Sequence, residues 1–142
     1  MPIRTSTADW SGTLKEGHGH MRFGGGAYDG AFTFNSRFAD GGGTNPEELI
    51  AAAHAGCFSM AFSGDLTGAG FPPKFIRTNA ELHLETVDGK PTITQIDLIC
   101  GAEVPGIDAA KFAEIAEGTR TGCPVSRALK AVKITLDATL RD

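Results

Sequence analysis

Cys57 and Cys123 are the residues of this chain best suited to chemistry. Cys57 lies in an apolar, alanine-rich run, Ile50-Ala51-Ala52-Ala53-His54-Ala55-Gly56-Cys57-Phe58-Ser59-Met60. Cys123 lies between Gly122 and Pro124. The working form of a cysteine nucleophile is the thiolate. An apolar helix interior opposes that charge by desolvation and raises the thiol pKa, so a reactive Cys57 needs a cation. No lysine or arginine lies within one helical turn of it. His54, three positions earlier on the same face, is the local candidate. Otherwise the cation comes from elsewhere in the fold, and Arg37, in Phe34-Asn35-Ser36-Arg37-Phe38, is the best-placed arginine. Cys123 precedes a proline at a first helical position, which makes it an N-cap. Helix N-termini favour thiolates, and such a sulfur leaves readily from a mixed disulfide. Two thiols of this kind suit a nucleophile and its resolving partner. A plainer reading stays open for each: Cys57 as a small buried hydrophobe and Cys123 at an ordinary turn. Cys100 falls on the inward face of a strand and reads as core packing.

Other chemistries are weaker. Zinc sites use close pairs of cysteine or histidine, whereas Cys100 and Cys123 are 23 residues apart on different elements. His18 and His20 alternate on a strand and share a face, but nothing upstream completes a site, so no metal and no cofactor are expected. Ser59 and Ser63 lack the glycine elbow of a serine hydrolase. Gly24-Gly25-Gly26 and Gly41-Gly42-Gly43 mark loops without the strand and helix that a phosphate loop requires.

The elements that must hold the thiols follow from pattern. Short strands are expected at Ile3 to Trp10, His18 to Phe23 and Ala31 to Phe34, joined by glycine turns. Asn45 as N-cap, Pro46 at the first helical position and Glu48 closing a capping box start a helix that continues to about Phe62. It is apolar almost all round, which predicts burial on most sides. Ala80 to Glu85 alternates as a strand, Val87-Asp88-Gly89-Lys90 turns it, and Ile93 to Val104 returns with Ile96, Leu98, Cys100 and Ala102 on one face. Asp108 caps a second helix from Ala109 to about Gly118, with Phe112 and Ile115 inward. A short helix runs from Cys123-Pro124 to Lys130, and Val132 to Ala138 alternates as a last strand. Strands, helix, strands, helix, strand is an α+β order.

The bulk properties bound the class. The 142 residues suit a single domain spanning 1–142. A net charge of -4 offers no basic footprint for nucleic acid. No run approaches the roughly 18 apolar residues of a membrane span, and the start lacks a signal-peptide core. Three cysteines without scaffold spacing suit a reducing compartment, where they are free, catalytic or metal-bound. A cytoplasmic protein that engages neither membrane nor nucleic acid is expected.

Three stretches carry a resemblance: Thr44-Asn45-Pro46-Glu47-Glu48-Leu49, then Ala52-Ala53-His54-Ala55-Gly56-Cys57-Phe58-Ser59-Met60, then Gly122-Cys123-Pro124-Val125-Ser126. Together they resemble the OsmC/Ohr family of thiol-dependent hydroperoxide reductases. Val104-Pro105-Gly106-Ile107 and Ile134-Thr135-Leu136-Asp137 extend the resemblance over nearly the whole chain. Glu47-Glu48 and the arginine at position 37 are closer to the osmotically inducible branch. The resemblance implies an OsmC-like α+β fold, with antiparallel sheets around a buried central helix, and an intertwined homodimer with its sites at the subunit interface. It implies a peroxidatic Cys57, a resolving Cys123, an Arg37 that stabilises the thiolate and a Glu47 that orients Arg37. It implies reduction of organic hydroperoxides to alcohols through a Cys57 sulfenic acid and a Cys57–Cys123 disulfide, with a dithiol or lipoyl-type reductant. An apolar wall from Phe58 and Met60 would favour alkyl substrates. Glu47 and Cys57 are ten residues apart, about 15 Å along one helix, so a Glu47 acting at a thiolate would serve the partner subunit. The alternatives are a thiol redox sensor and a non-catalytic binding protein on the same fold.

Overall fold

The computed structural model describes residues 1–142. The chain divides into two compact units, Met1–Leu49 and Ile50–Asp142, and each has a three-stranded sheet.

The first unit is an antiparallel meander, β1 (Ser6–Ser11), β2 (His18–Phe23) and β3 (Tyr28–Phe32). The second strand lies where the alternation put it. The first starts later than Ile3, and the third lies earlier than Ala31–Phe34. A turn at Gly24–Gly26 joins β2 to β3, with φ of +64°, +64° and +94° at its three residues. Side chains avoid that region, so three glycines in a row are what the turn requires. Phe34 opens a helix rather than ending a strand. This is α1 (Phe34–Phe38), a single turn held by a capping box. The Ser36 N–H donates to Thr33 Oγ1 at 3.1 Å, and the Thr33 N–H donates to Ser36 Oγ at 2.8 Å. The sequence pattern missed it because one helical turn shows no periodicity.

Helix α2 (Pro46–Gly68) starts in the first unit and continues in the second. Asn45 caps it as expected: its Oδ1 accepts from the Glu48 N–H at 2.8 Å. The Glu48 carboxylate accepts from Thr44 Oγ1 at 3.2 Å instead of closing the box on Asn45. Burial on most sides is not what the chain provides. Only His54, Phe58, Phe62 and Leu66, spaced i, i+4 on one line, are fully buried. Ala52, Ala53, Gly56, Met60 and Gly64 are exposed. Contrary to the sequence expectation, α2 is long and apolar enough to cross a membrane by length and composition. Its buried line belongs instead to a protein core with Ile96, Leu98, Cys100, Ala102 and Phe112.

That core lies on the second sheet, ordered β4 (Phe75–Val87), β5 (Lys90–Glu103) and β6 (Lys133–Arg141). Asp88 and Gly89 both have positive φ, 50° and 76°, the turn that matches the twist of a two-residue hairpin. The inward residues of β5 are Ile96, Leu98, Cys100 and Ala102, as the alternation indicated. The sheet is mixed, not antiparallel throughout: β6 pairs parallel to β5. The helices between them make the crossover that parallel pairing needs. The first is α3 (Ala109–Gly122), with the Lys111 N–H donating to Asp108 Oδ1 at 2.8 Å. It runs four residues beyond Gly118 and buries Phe112, Ala116 and Thr119, with Ile115 half-buried. The Phe112 ring meets Phe62 of α2 edge-on at 5.4 Å. The second is α4 (Pro124–Ala128), which stops two residues before Lys130.

Candidate active site

Pro124 starts α4 at its first position and Cys123 caps it, so the next two backbone N–H groups have no intrahelical acceptor. Both point at sulfur. The Val125 N–H donates to Cys57 Sγ at 3.4 Å, and the Ser126 N–H donates to Cys123 Sγ at 3.4 Å. The first turn of α4 thus meets the middle of α2, two elements 66 residues apart at Cys57 and Cys123. Cys123 is 1 % exposed, while Cys57 is half-buried. All three cysteines are free thiols. An accessible sulfur beside a buried one is an arrangement that can take an oxidant at the first and close a disulfide with the second.

Burial pushes the Cys57 thiol above its ordinary value; the Val125 N–H pulls it down and Cys123 pushes it up. No cation is among these influences. His54, the local candidate, does not supply one. It is fully buried, burial lowers its pKa, and its Nε2 lies 2.7 Å from Ser126 Oγ. The Ser126 hydroxyl also lies 3.1 Å from Cys123 Sγ. A capping sulfur at Cys123 followed by serine three positions on was the one local signal of Ser126, and it did not point to His54, 72 residues away. Cys100 is 2 % exposed within β5, and burial raises its thiol pKa, consistent with packing. Phe58 is also fully buried in the core and Met60 is exposed, so the two form no wall around Cys57. No three His, Cys, Asp or Glu side chains cluster as metal ligands. On β2, His20 Nδ1 lies 2.8 Å from Asp29 Oδ1.

The first unit assembles an ion pair. Arg37 on α1 donates from Nε to both Glu47 oxygens, at 3.0 and 3.2 Å, and from Nη2 to Oε1 at 2.7 Å. Such a fork-on-carboxylate pair fixes the guanidinium plane. Glu47 is 8 % exposed, whereas the Arg37 side chain is 37 % exposed. Two bonds set the approach. The Ser36 hydroxyl donates to the Thr44 carbonyl at 2.8 Å, and Asn45 Nδ2 donates to the Ser36 carbonyl at 2.8 Å. They fasten the turn of α1 to the start of α2. Arg37 also sits 5.1 Å over the Phe38 ring and borders a cavity of about 210 Å³ with Trp10, Leu14, Phe32, Thr33, Phe34 and Phe38. This aromatic wall was not anticipated, because its residues come from β1, β3 and α1 and share no sequence motif.

A family model described as "OsmC-like protein" matches residues 39–137. Peroxiredoxin OsmC of Escherichia coli strain K12 is 48% identical over 135 residues, 94% of this chain and 94% of that protein. The Organic Hydroperoxide Resistance Protein OhrB of Bacillus subtilis superposes with a TM-score of 0.68 at 25% identity, over 95% of this chain and 98% of that one. An OsmC-like protein from Mycoplasma pneumoniae shares the fold with a TM-score of 0.77 at 16% identity, covering 99% of each.

Proposed function

The chain belongs to the OsmC family, and from that premise we propose that it is a thiol-dependent peroxidase that reduces organic hydroperoxides to alcohols. The observation that carries this reading is the shared first turn of α4, whose Val125 and Ser126 N–H groups reach Cys57 and Cys123. Cys57 is the peroxidatic thiolate. Its sulfur attacks a peroxide oxygen; the S–O bond forms, the O–O bond breaks, and the alkoxide leaves as the alcohol after taking a proton. The product is a Cys57 sulfenic acid. Cys123 attacks that sulfur, forming the Cys57–Cys123 disulfide and releasing water. A dithiol or lipoyl-type thiol reduces the disulfide by exchange. The chemistry calls on no metal or cofactor.

The thiolate needs a cation, and Arg37 held by Glu47 supplies it. Glu47 and Cys57 lie ten residues apart on α2, about 15 Å along the helix. We therefore assign the Arg37–Glu47 pair to the partner subunit's Cys57, in a two-fold homodimer. The exposed apolar face of α2, with Met60 81 % exposed, supports such an interface, since soluble chains seldom leave apolar helix faces open. Within that dimer residues 1–142 act as one OsmC-like domain. The aromatic cavity beside Arg37 supplies the apolar wall that favours alkyl or aryl hydroperoxides over hydrogen peroxide. Free thiols suit a reducing cytoplasm.

A steady-state assay with cumene hydroperoxide and a dithiol tests the reading. Multiple turnovers, lost in Cys57→Ser, are expected. Stoichiometric oxidation without turnover would make the protein a redox sensor instead.

A further inference from the structure

Cys123 has to shed a proton before its sulfur can attack, and its surroundings exclude water. Its Sγ lies 3.1 Å from Ser126 Oγ, and that oxygen lies 2.7 Å from His54 Nε2. The three residues are 1 %, 2 % and 0 % exposed. Sulfur, oxygen and nitrogen therefore form an unbroken dry chain that ends on an imidazole. The other ring nitrogen, His54 Nδ1, is buried without a hydrogen-bond partner. An unpaired buried polar atom calls for an explanation; a side chain serving only to tie α2 to α4 would fit better without one.

We propose that Ser126 and His54 carry the proton away from Cys123 during disulfide formation. The inference rests on the reading of Cys123 as the resolving thiol. Ser126 is the catalytic group, because it touches the reacting sulfur; His54 is a positioning residue that acts through it. As Cys123 Sγ bonds the Cys57 sulfenic sulfur, the Cys123 proton passes to Ser126 Oγ and the Ser126 proton passes to His54 Nε2. The S–O bond breaks and its electron pair leaves as hydroxide. His54 then gives up its proton, so that the hydroxide ends as water and the imidazole is neutral again. Cys57 and Cys123 together lose two electrons relative to their thiol states, the two that the peroxide took. Burial opposes a lasting charge on His54, and the neutral tautomer with its proton on Nδ1 presents Nε2 as the acceptor.

The test separates the two half-reactions in His54→Gln and Ser126→Ala. Glutamine can hold the Ser126 hydroxyl but cannot take a proton at neutral pH. One equivalent of cumene hydroperoxide is mixed with reduced protein; its consumption is followed, and the thiols are quenched in time with dimedone and mapped by mass spectrometry. Both variants should form the disulfide at least tenfold more slowly and accumulate a dimedone adduct on Cys57, while the initial consumption of hydroperoxide changes less than twofold. A disulfide rate equal to that of the unaltered protein in both variants would overturn the relay. So would equal slowing of both steps, which marks a structural role. Ser126→Thr retains a hydroxyl and should form the disulfide faster than Ser126→Ala; no difference between them also counts against the relay. Cys123→Ser is run alongside. If it still turns over repeatedly, the resolving role of Cys123 fails and the relay falls with it.

Discussion

At Cys57 burial and reactivity pull in opposite directions. Desolvation raises the thiol pKa, and the Val125 N–H answers it only in part. In the proposed dimer a reactive thiolate would depend on the partner subunit's Arg37. We expect Arg37→Ala to slow iodoacetamide alkylation of Cys57 near neutral pH at least tenfold, equivalent to about 1.4 kcal/mol. Arg37→Lys should recover little of it, because an ammonium cannot copy the planar fork held by Glu47. An alkylation pH profile unchanged in Arg37→Ala would remove Arg37 from this role. His54 carries a separate signature. Its folded pKa lies below the unfolded value of about 6.5, so the unfolded chain binds the proton first as pH falls. The stability it contributes is full above about pH 6.5 and is lost below it, with a slope of at most about 1.4 kcal/mol per pH unit. Urea denaturation between neutral and mildly acidic pH should show a shallower fall in His54→Gln. The buried thiol of Cys100 acts with the opposite sign. Burial raises its pKa, so its contribution is full below about pH 9 and lost as pH rises further.

At the scale of elements, the local patterns were legible and the pairings over distance were not. The Asn45 and Asp108 caps, the Asp88-Gly89 turn and the inward face of β5 all rest on residues within a few positions of one another. The parallel pairing of β5 and β6 depends on where α3 and α4 return the chain, which alternation in β6 cannot express. Cys57 and Cys123 stood out individually as candidates because their flanks are local motifs. Their meeting through α4, and the His54–Ser126 bond, join residues from distant parts of the chain. Helix α2 shows the same limit from another side. Its composition indicated burial on most sides, but composition does not say which face the chain itself covers. A methyl group at Gly56 would meet no other atom within 4 Å, so Gly56→Ala should be tolerated in the isolated chain and should favour the helix. Gly56→Trp or Met60→Lys on the exposed face should leave the circular dichroism spectrum intact and convert dimer to monomer in sedimentation, with loss of turnover. A variant that is monomeric yet fully active would refute the shared site.

For the whole molecule, the proposed shared site would make dimerisation a condition of catalysis. Subunits carrying Cys57→Ser and Glu47→Ala are each expected to be inactive as homodimers. Mixed under exchange, they should regain activity, because one of the two sites then has both a Cys57 and a Glu47. No recovery with heterodimers present would place the site within one chain or remove Glu47 from it. The expectations about turnover depend on one claim, that Cys57 and Cys123 form a redox pair. The most direct measurement treats the reduced protein with one equivalent of cumene hydroperoxide and maps every cysteine by mass spectrometry. A Cys57–Cys123 disulfide, the loss of two thiols per chain and an unmodified Cys100 are expected. A disulfide that includes Cys100, or an oxidised protein with Cys57 still a thiol, would contradict that claim.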